Sequence, residues 1–318
     1  MKNIGLGKVK NNDVYSFTSD LGIKIRKNIN NPLRKILKLA TKRKVILESY
    51  PKLEKNKPYI FASTHSFDED IIAALSTIDR STYVLIGTTD QIDTNPTMYA
   101  AWINGMIYVD RLNYDSRKES VKKMERILNS GSSVLLFPEG GWNNTENLLV
   151  QKLFAGPYIL SKDTGCEVIP ISTFNEANSD KIYIKFGNPL NLGEMGKKDA
   201  LKILRDELAS MMYGQIEKYS TPISRDKLPL DAREKFMEER KNEYLRVKWS
   251  KDVWDEELTV YKDKDNPSKE DVRKTFDNVR ITPDNAGILA SVLVKRIEDK
   301  KYDFKDYMHK NWNRSVKK

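Results

Sequence analysis

Histidine and cysteine are almost absent: the 318 residues hold two histidines and one cysteine. With Cys166 alone no intrachain disulfide can form, which fits a reducing cytosol. His65 and His309 lie near opposite ends of the chain and have no cysteine partners, so no metal-ligand spacing arises and no metal is expected. Long apolar runs are also missing. The opening, "MKNIGLGKVKNNDVYSF", has no signal-peptide core. The stretch "NPTMYAAWINGMIYV" is uncharged but too short and too polar to cross a bilayer. Acids are outnumbered, and the formal net charge of +10 suits a polyanionic partner: nucleic acid, an anionic membrane surface or an acidic protein. What remains is ample for a globular core, with 39% hydrophobic residues over a length of one large domain or two smaller ones.

The basic excess is concentrated. Residues 21–47 carry nine lysines and arginines and no acid. Within them "NNPLRKILKLATKRK" reads as a helix capped by Asn31, with Pro32 in its first turn. Leu33, Ile36, Leu37 and Ala40 share one face, and Lys35, Lys38 and Lys42 lie largely off it. Such a helix either docks its stripe on a domain or lies in a membrane interface, and the two are compatible. Residues 1–44 are therefore expected to form a basic N-terminal segment with an amphipathic helix.

From residue 45 to about 190, short apolar runs rich in β-branched and aromatic residues recur: "VILES", "YIFAS", "TYVLIG", "MIYVD", "SVLLF", "EVIPIS" and "KIYIKF". Helical stretches separate several of them. "DSRKESVKKMERILNSG" has Asp115 as a cap, a stripe of Val121, Met124, Ile127 and Leu128, and Gly131 as a stop. "AGPYILSKDTG" closes on Gly165. Strands alternating with helices predict an α/β fold with a mostly parallel central sheet flanked by helices over residues 45–220. After a proline-marked break, residues 221–318 read as a helical C-terminal extension anchored by Phe236, Tyr244, Trp249, Trp254 and Trp312. The basic cluster has no interleaved aromatics and no recognisable nucleic-acid motif, so nucleic acid is not the expected partner.

One motif stands at a strand end. In "STHSFDED", Ser66 and Glu69 have the form of a capping box, which places His65 just before the cap against Asp70 at the fourth helical residue. A carboxylate there would fix the imidazole tautomer and leave the other ring nitrogen as a general base. The alternative is a polar helix start.

Three further segments follow in order: "GMIYVDR" (105–111), "FPEGG" (137–141) and "VIPI" (168–171). With "HSFDED" (65–70), the set resembles the glycerolipid acyltransferase family, whose best-known members acylate lysophosphatidic acid. The resemblance covers roughly residues 45–190. It implies the family's layered fold and an acyl transfer from a thioester, acyl-ACP or acyl-CoA, to the hydroxyl of a lysophospholipid or glycerol-phosphate acceptor in phospholipid biosynthesis, with no other cofactor. His65 would be the base and Asp70 its orienter. Arg111 would hold phosphate, the alternative being a salt bridge. Glu139 would meet an acceptor hydroxyl, the alternative being a turn-stabilising carboxylate. Gly140 and Gly141 would let backbone approach the ligand, the alternative being a tight turn. No G-x-S-x-G nucleophile elbow occurs, and Cys166 reads as a small buried residue.

Two departures bear on the acceptor. Thr64 stands where many relatives have asparagine. After "FPEG" the chain continues Gly141, Trp142, Asn143 in place of threonine or serine and arginine, so one expected phosphate contact is missing; Lys152 is a candidate substitute that the sequence does not place. Many relatives also have membrane spans. This chain is expected to work from the cytoplasmic membrane face through residues 21–47. A non-catalytic membrane-surface lipid binder of the same fold is the alternative.

Overall fold

The computed structural model describes residues 18–87, 105–111, 113–145, 148–176, 179–221 and 227–246. His309, Trp249, Trp254, Trp312 and the part of the expected C-terminal extension from residue 247 onward lie outside them. The described elements run α1 (Asp20–Ala40), β1 (Lys44–Ser49), β2 (Ile60–Ser63), α2 (Asp70–Thr77), β3 (Thr82–Ile86), β4 (Met106–Tyr108), α3 (Tyr114–Asn129), β5 (Ser133–Leu136), α4 (Gly156–Thr164), β6 (Val168–Phe174), β7 (Lys181–Phe186), a 3-10 turn (Leu192–Glu194), α5 (Lys197–Tyr219) and α6 (Ala232–Arg246).

The strands form one seven-stranded α/β sheet in the order β1-β7-β6-β2-β5-β3-β4. Pairing is parallel except between β6 and β7. Each apolar run in the sequence became a strand because the sheet is covered on both faces. Successive residues alternate between two cores. Phe61, Val84, Leu135 and Ile169 face α2, while Ile60, Tyr83, Val134 and Val168 face α3, α4 and α5. Pro170 sits in the central strand β6, where its carbonyl accepts from Gly187 N–H at 2.9 Å. Pairing with β7 begins only at Ile171, so the missing donor leaves no ladder bond unmade.

Helix α1 differs from its sequence expectation. It starts at Asp20, capped by Ser19, whose Oγ accepts from Gly22 N–H at 3.3 Å, and it passes through Asn31 and Pro32. Asn31 is therefore not its cap. Packing outweighs the local signal, because Ile23 joins the core beneath α3 while Leu37 joins the core beneath α2. Pro32 and Asn28 are both exposed, so the carbonyl that Pro32 leaves unbonded faces water. Leu33 and Leu37 are buried, whereas Ile36 is exposed. Helix α3 is capped by Asn113, not Asp115: its side chain accepts from Ser116 N–H at 3.0 Å. Gly131 (φ 78°) and Gly165 (φ 68°) close α3 and α4 in the left-handed region that favours glycine. Among the described residues, no helix is long and apolar enough to cross a membrane.

Candidate active site

The carboxyl ends of β2, β5, β3 and β4, four neighbours in the sheet, open onto one cavity of about 730 Å³. This is where parallel sheets place their ligands. His65, from the loop after β2, lies at one side. Gly87 and Arg111 follow β3 and β4, and Phe137, Pro138, Gly140 and Gly141 follow β5. Apolar side chains dominate the walls, with Ile71, Ile86, Val109, Met124, Phe154 and Ile159 among them. Arg111, Arg117, Lys118 and Lys122 supply positive charge. Glu125 is in the same wall, and burial followed by the nearby Asp163 raises its pKa above the ordinary carboxylate value.

His65 is held on every side but one. Its Nδ1 lies 3.0 and 2.9 Å from the two oxygens of Asp70, which is fully buried. A carboxylate only accepts, so the shared proton sits on Nδ1 and Nε2 is left with its lone pair. The Phe137 ring lies 4.2 Å from the imidazole, and the Trp142 ring meets it edge-on at 6.1 Å. The backbone is pinned as well. His65 O accepts from Asn143 N–H at 2.8 Å, and His65 N–H points at Glu139 Oε1 at 3.4 Å. The "FPEGGWN" loop thus grips the histidine through both ring and main chain. Thr64 is buried just before it and stitches β2 to β6: its N–H donates to Ile171 O and its Oγ1 accepts from Thr173 N–H, both at 3.0 Å.

The contact between His65 and Asp70 forms, but not through a capping box. Helix α2 begins at Asp70, four residues after Ser66, and residue 69 caps nothing with its side chain. Asp70 itself reaches back, its Oδ2 accepting from Ser66 N–H at 2.8 Å and Phe67 N–H at 3.2 Å. Asp70 thus takes the Ser66 N–H that the Glu69 side chain would accept in a capping box, and residues 66–69 become a turn. Glu69 turns to the end of α1, accepting from Lys42 N–H at 2.7 Å and pairing with Arg43 at 3.4 Å.

The other expected site residues divide. Arg111 lines the cavity, donates to Gly140 O at 2.7 Å, and lies so close to Gly87 that an added Cβ there would meet its Nε at 2.9 Å. Gly140 (φ 76°) requires glycine, since a Cβ would fall 2.3 Å from the Phe154 ring. Gly141 lines the cavity beside it. Glu139 does not line it. It is fully buried, with Oε2 accepting from Gln151 N–H at 2.8 Å, an arrangement that suits the turn-stabilising alternative. Lys152 is exposed and outside the cavity lining, and Cys166 is buried away from it. The packing of Phe137 and Trp142 on His65 is not legible in the sequence, because ring contacts across two loops have no spacing to read. Among the described residues no cluster of histidine, cysteine and carboxylates suits a metal.

Residues 44–173 match the family model described as Acyltransferase. Among solved structures, the chain is similar to the 1-acyl-sn-glycerophosphate (LPA) acyltransferase PlsC from Thermotoga maritima, with a TM-score of 0.49 and 16% identity over 64% of this chain and 84% of that one. No curated protein matches the sequence.

Proposed function

We propose that this chain, whose residues 44–173 match the acyltransferase family model, transfers a fatty acyl group from acyl-ACP or acyl-CoA to the hydroxyl of a lysophospholipid or glycerol-phosphate acceptor in phospholipid biosynthesis. The observation that carries this reading is the His65–Asp70 pair, with Nδ1 2.9 Å from the carboxylate, at the edge of a largely apolar cavity.

His65 Nε2 takes the acceptor hydroxyl proton as the oxygen attacks the thioester carbonyl. Asp70 keeps the imidazole oriented and stabilises the imidazolium that forms. The tetrahedral intermediate collapses to the ester, the C–S bond breaks, and the imidazolium returns the proton to the departing thiolate. A thioester is already activated, so no acyl-enzyme is required. The apolar walls suit the acyl chain. Arg111, with its planar fork of donors, suits a phosphate at the cavity mouth, and Gly140 and Gly141 keep the loop backbone close to the ligand. Glu139 supports the loop from beneath through the His65 and Gln151 backbone.

We further propose that α1 brings the site to an anionic membrane surface, on the cytoplasmic side. Leu21, Ile25, Ile29, Ile36 and Leu39 fall on one helical face, and all are exposed, Leu39 by 86%. Lys24, Lys27, Lys35 and Lys38 flank that stripe. The segment just after the helix is tied through Lys42 and Arg43 to the turn that follows His65.

Thiol release from acyl-CoA and acyl-ACP, measured against lysophosphatidate, glycerol 3-phosphate and a neutral lysolipid, tests the reading. Phosphate-bearing acceptors should stimulate release, and Arg111→Lys should raise the acceptor KM. Release that no acceptor stimulates would overturn it.

A further inference from the structure

Helix α6, the last described helix, meets the loops of the site through Arg240. Arg240 is 13% exposed, and its guanidinium is used on each edge. Nη2 donates to the carbonyl of Ser66, the residue that follows His65. Nε donates to Asn144 Oδ1 at 2.9 Å, and Nη1 meets Glu243 Oε2 at 3.0 Å. Its face lies over the Trp142 ring, 4.6 Å from the centroid. Apart from Glu243 on α6 itself, the partners lie in the two loops around His65. Trp142 packs edge-on against the imidazole at 6.1 Å, and Asn143, between Trp142 and Asn144, donates to His65 O at 2.8 Å.

From this geometry we infer that Arg240 is a positioning residue for the His65–Asp70 pair, so that α6 forms part of the active-site scaffold. The inference rests on the proposed function for its kinetic consequence, but not for its structural one. Arg240 does not line the cavity, and its Ser66, Asn144 and Glu243 contacts engage both terminal nitrogens and Nε, so it acts through the loops and not on substrate. Arginine suits the place because it stacks on an aromatic ring and donates in its own plane at the same time; lysine does neither in a fixed geometry. The turn 66–69 needs such a tie. The N–H groups of Ser66 and Phe67 are spent on Asp70, and without Arg240 the Ser66 carbonyl would lose its partner from α6.

The test uses the full chain with 15N-labelled histidine. Only His65 and His309 contribute imidazole signals, and each is assigned by substituting it. Arg240→Ala should shift or broaden the His65 ring signals while those of His309 stay in place, and Arg240→Lys should do the same to a smaller extent. In steady-state assays Arg240→Ala should lower kcat roughly 10- to 100-fold, the scale of a misplaced catalytic group, and leave the acceptor KM nearly unmoved. His65 signals unchanged in both variants would overturn the inference whatever the rates do. Should no acyl transfer be found at all, the imidazole signals still decide it.

Discussion

The loops around His65 and the outer face of α1 handle exposure in opposite ways. In the loops, two carboxylates are wholly buried, and backbone N–H groups meet them: Ser66 and Phe67 for Asp70, Gln151 and His65 for Glu139. On α1, five large aliphatic side chains stand in water along one face. A polar group is costly inside unless it is bonded, and each buried carboxylate here is. An isolated exposed leucine needs no explanation, but a stripe beside lysines does. The inner region spends its polar contacts on fixing one imidazole. The outer region leaves apolar area uncovered among the described residues. In the reading proposed above, one is organised for chemistry and the other for a surface, and the segment just after α1 joins them at residues 68 and 69.

Changes in the inner region should have the largest effects on rate and little on the fold. His65→Ala should reduce turnover by ~10²–10⁴, the range for loss of a general base, with the far-ultraviolet circular dichroism unchanged. Asp70→Asn should act in the same direction. Near-normal turnover in folded His65→Ala would separate the buried pair from the chemistry.

Changes in the outer region should affect binding. Reversing Lys24, Lys35 and Lys38 to glutamate should weaken adhesion to anionic vesicles by about 1 kcal/mol for each lysine engaged, and added salt should weaken the parent protein likewise. Turnover of a bilayer-embedded acceptor should fall, while that of a short-chain soluble acceptor should hold. An equal loss on both acceptors would mean that α1 serves the fold or the donor.

Glu139→Ala should lower stability by about 1–3 kcal/mol, because it leaves the buried N–H of Gln151 without its acceptor. Urea titration reads this directly. The smallest effect is expected far from both regions, where Glu48 of β1 accepts from Gln215 and Tyr219 of α5 at 2.7 and 2.6 Å. Burial works against that carboxylate, but hydrogen bonds from Tyr219, Gln215 and Lys218 outweigh it and hold its pKa below the ordinary 4.5. A depressed folded pKa contributes stability that is present above the unfolded value and lost as pH falls through the folded one. Glu48→Gln should therefore flatten the stability profile on the acid side and leave its shape near neutrality unchanged.

The sheet was legible because each strand is an apolar run bounded by turn residues, and Val168 to Phe174 needed only β-branched enrichment to be found. His65 and Asp70 were legible because they are five residues apart and local geometry joins them. The start of α2 was misread, since S-x-x-E matched a cap that the Asp70 carboxylate displaced. The start of α1 was misread because Pro32 looks like a first-turn residue, and only the burial of Ile23 far upstream shows that the helix continues. Arg240 could not be seen at all. One arginine in a charged helix has no pattern, and its meaning depends on two loops roughly a hundred or more residues away in sequence.

Transfer of an intact acyl group to a lipid hydroxyl by His65, as proposed, is read by mass spectrometry of the product made from an isotope-labelled acyl thioester with vesicles bearing lysophospholipid. The label should appear in a new ester on the acceptor, with one thiol released per ester formed, and both should be lost in His65→Ala. Label found only in free fatty acid, or the same ester yield from His65→Ala, would contradict the proposed transfer.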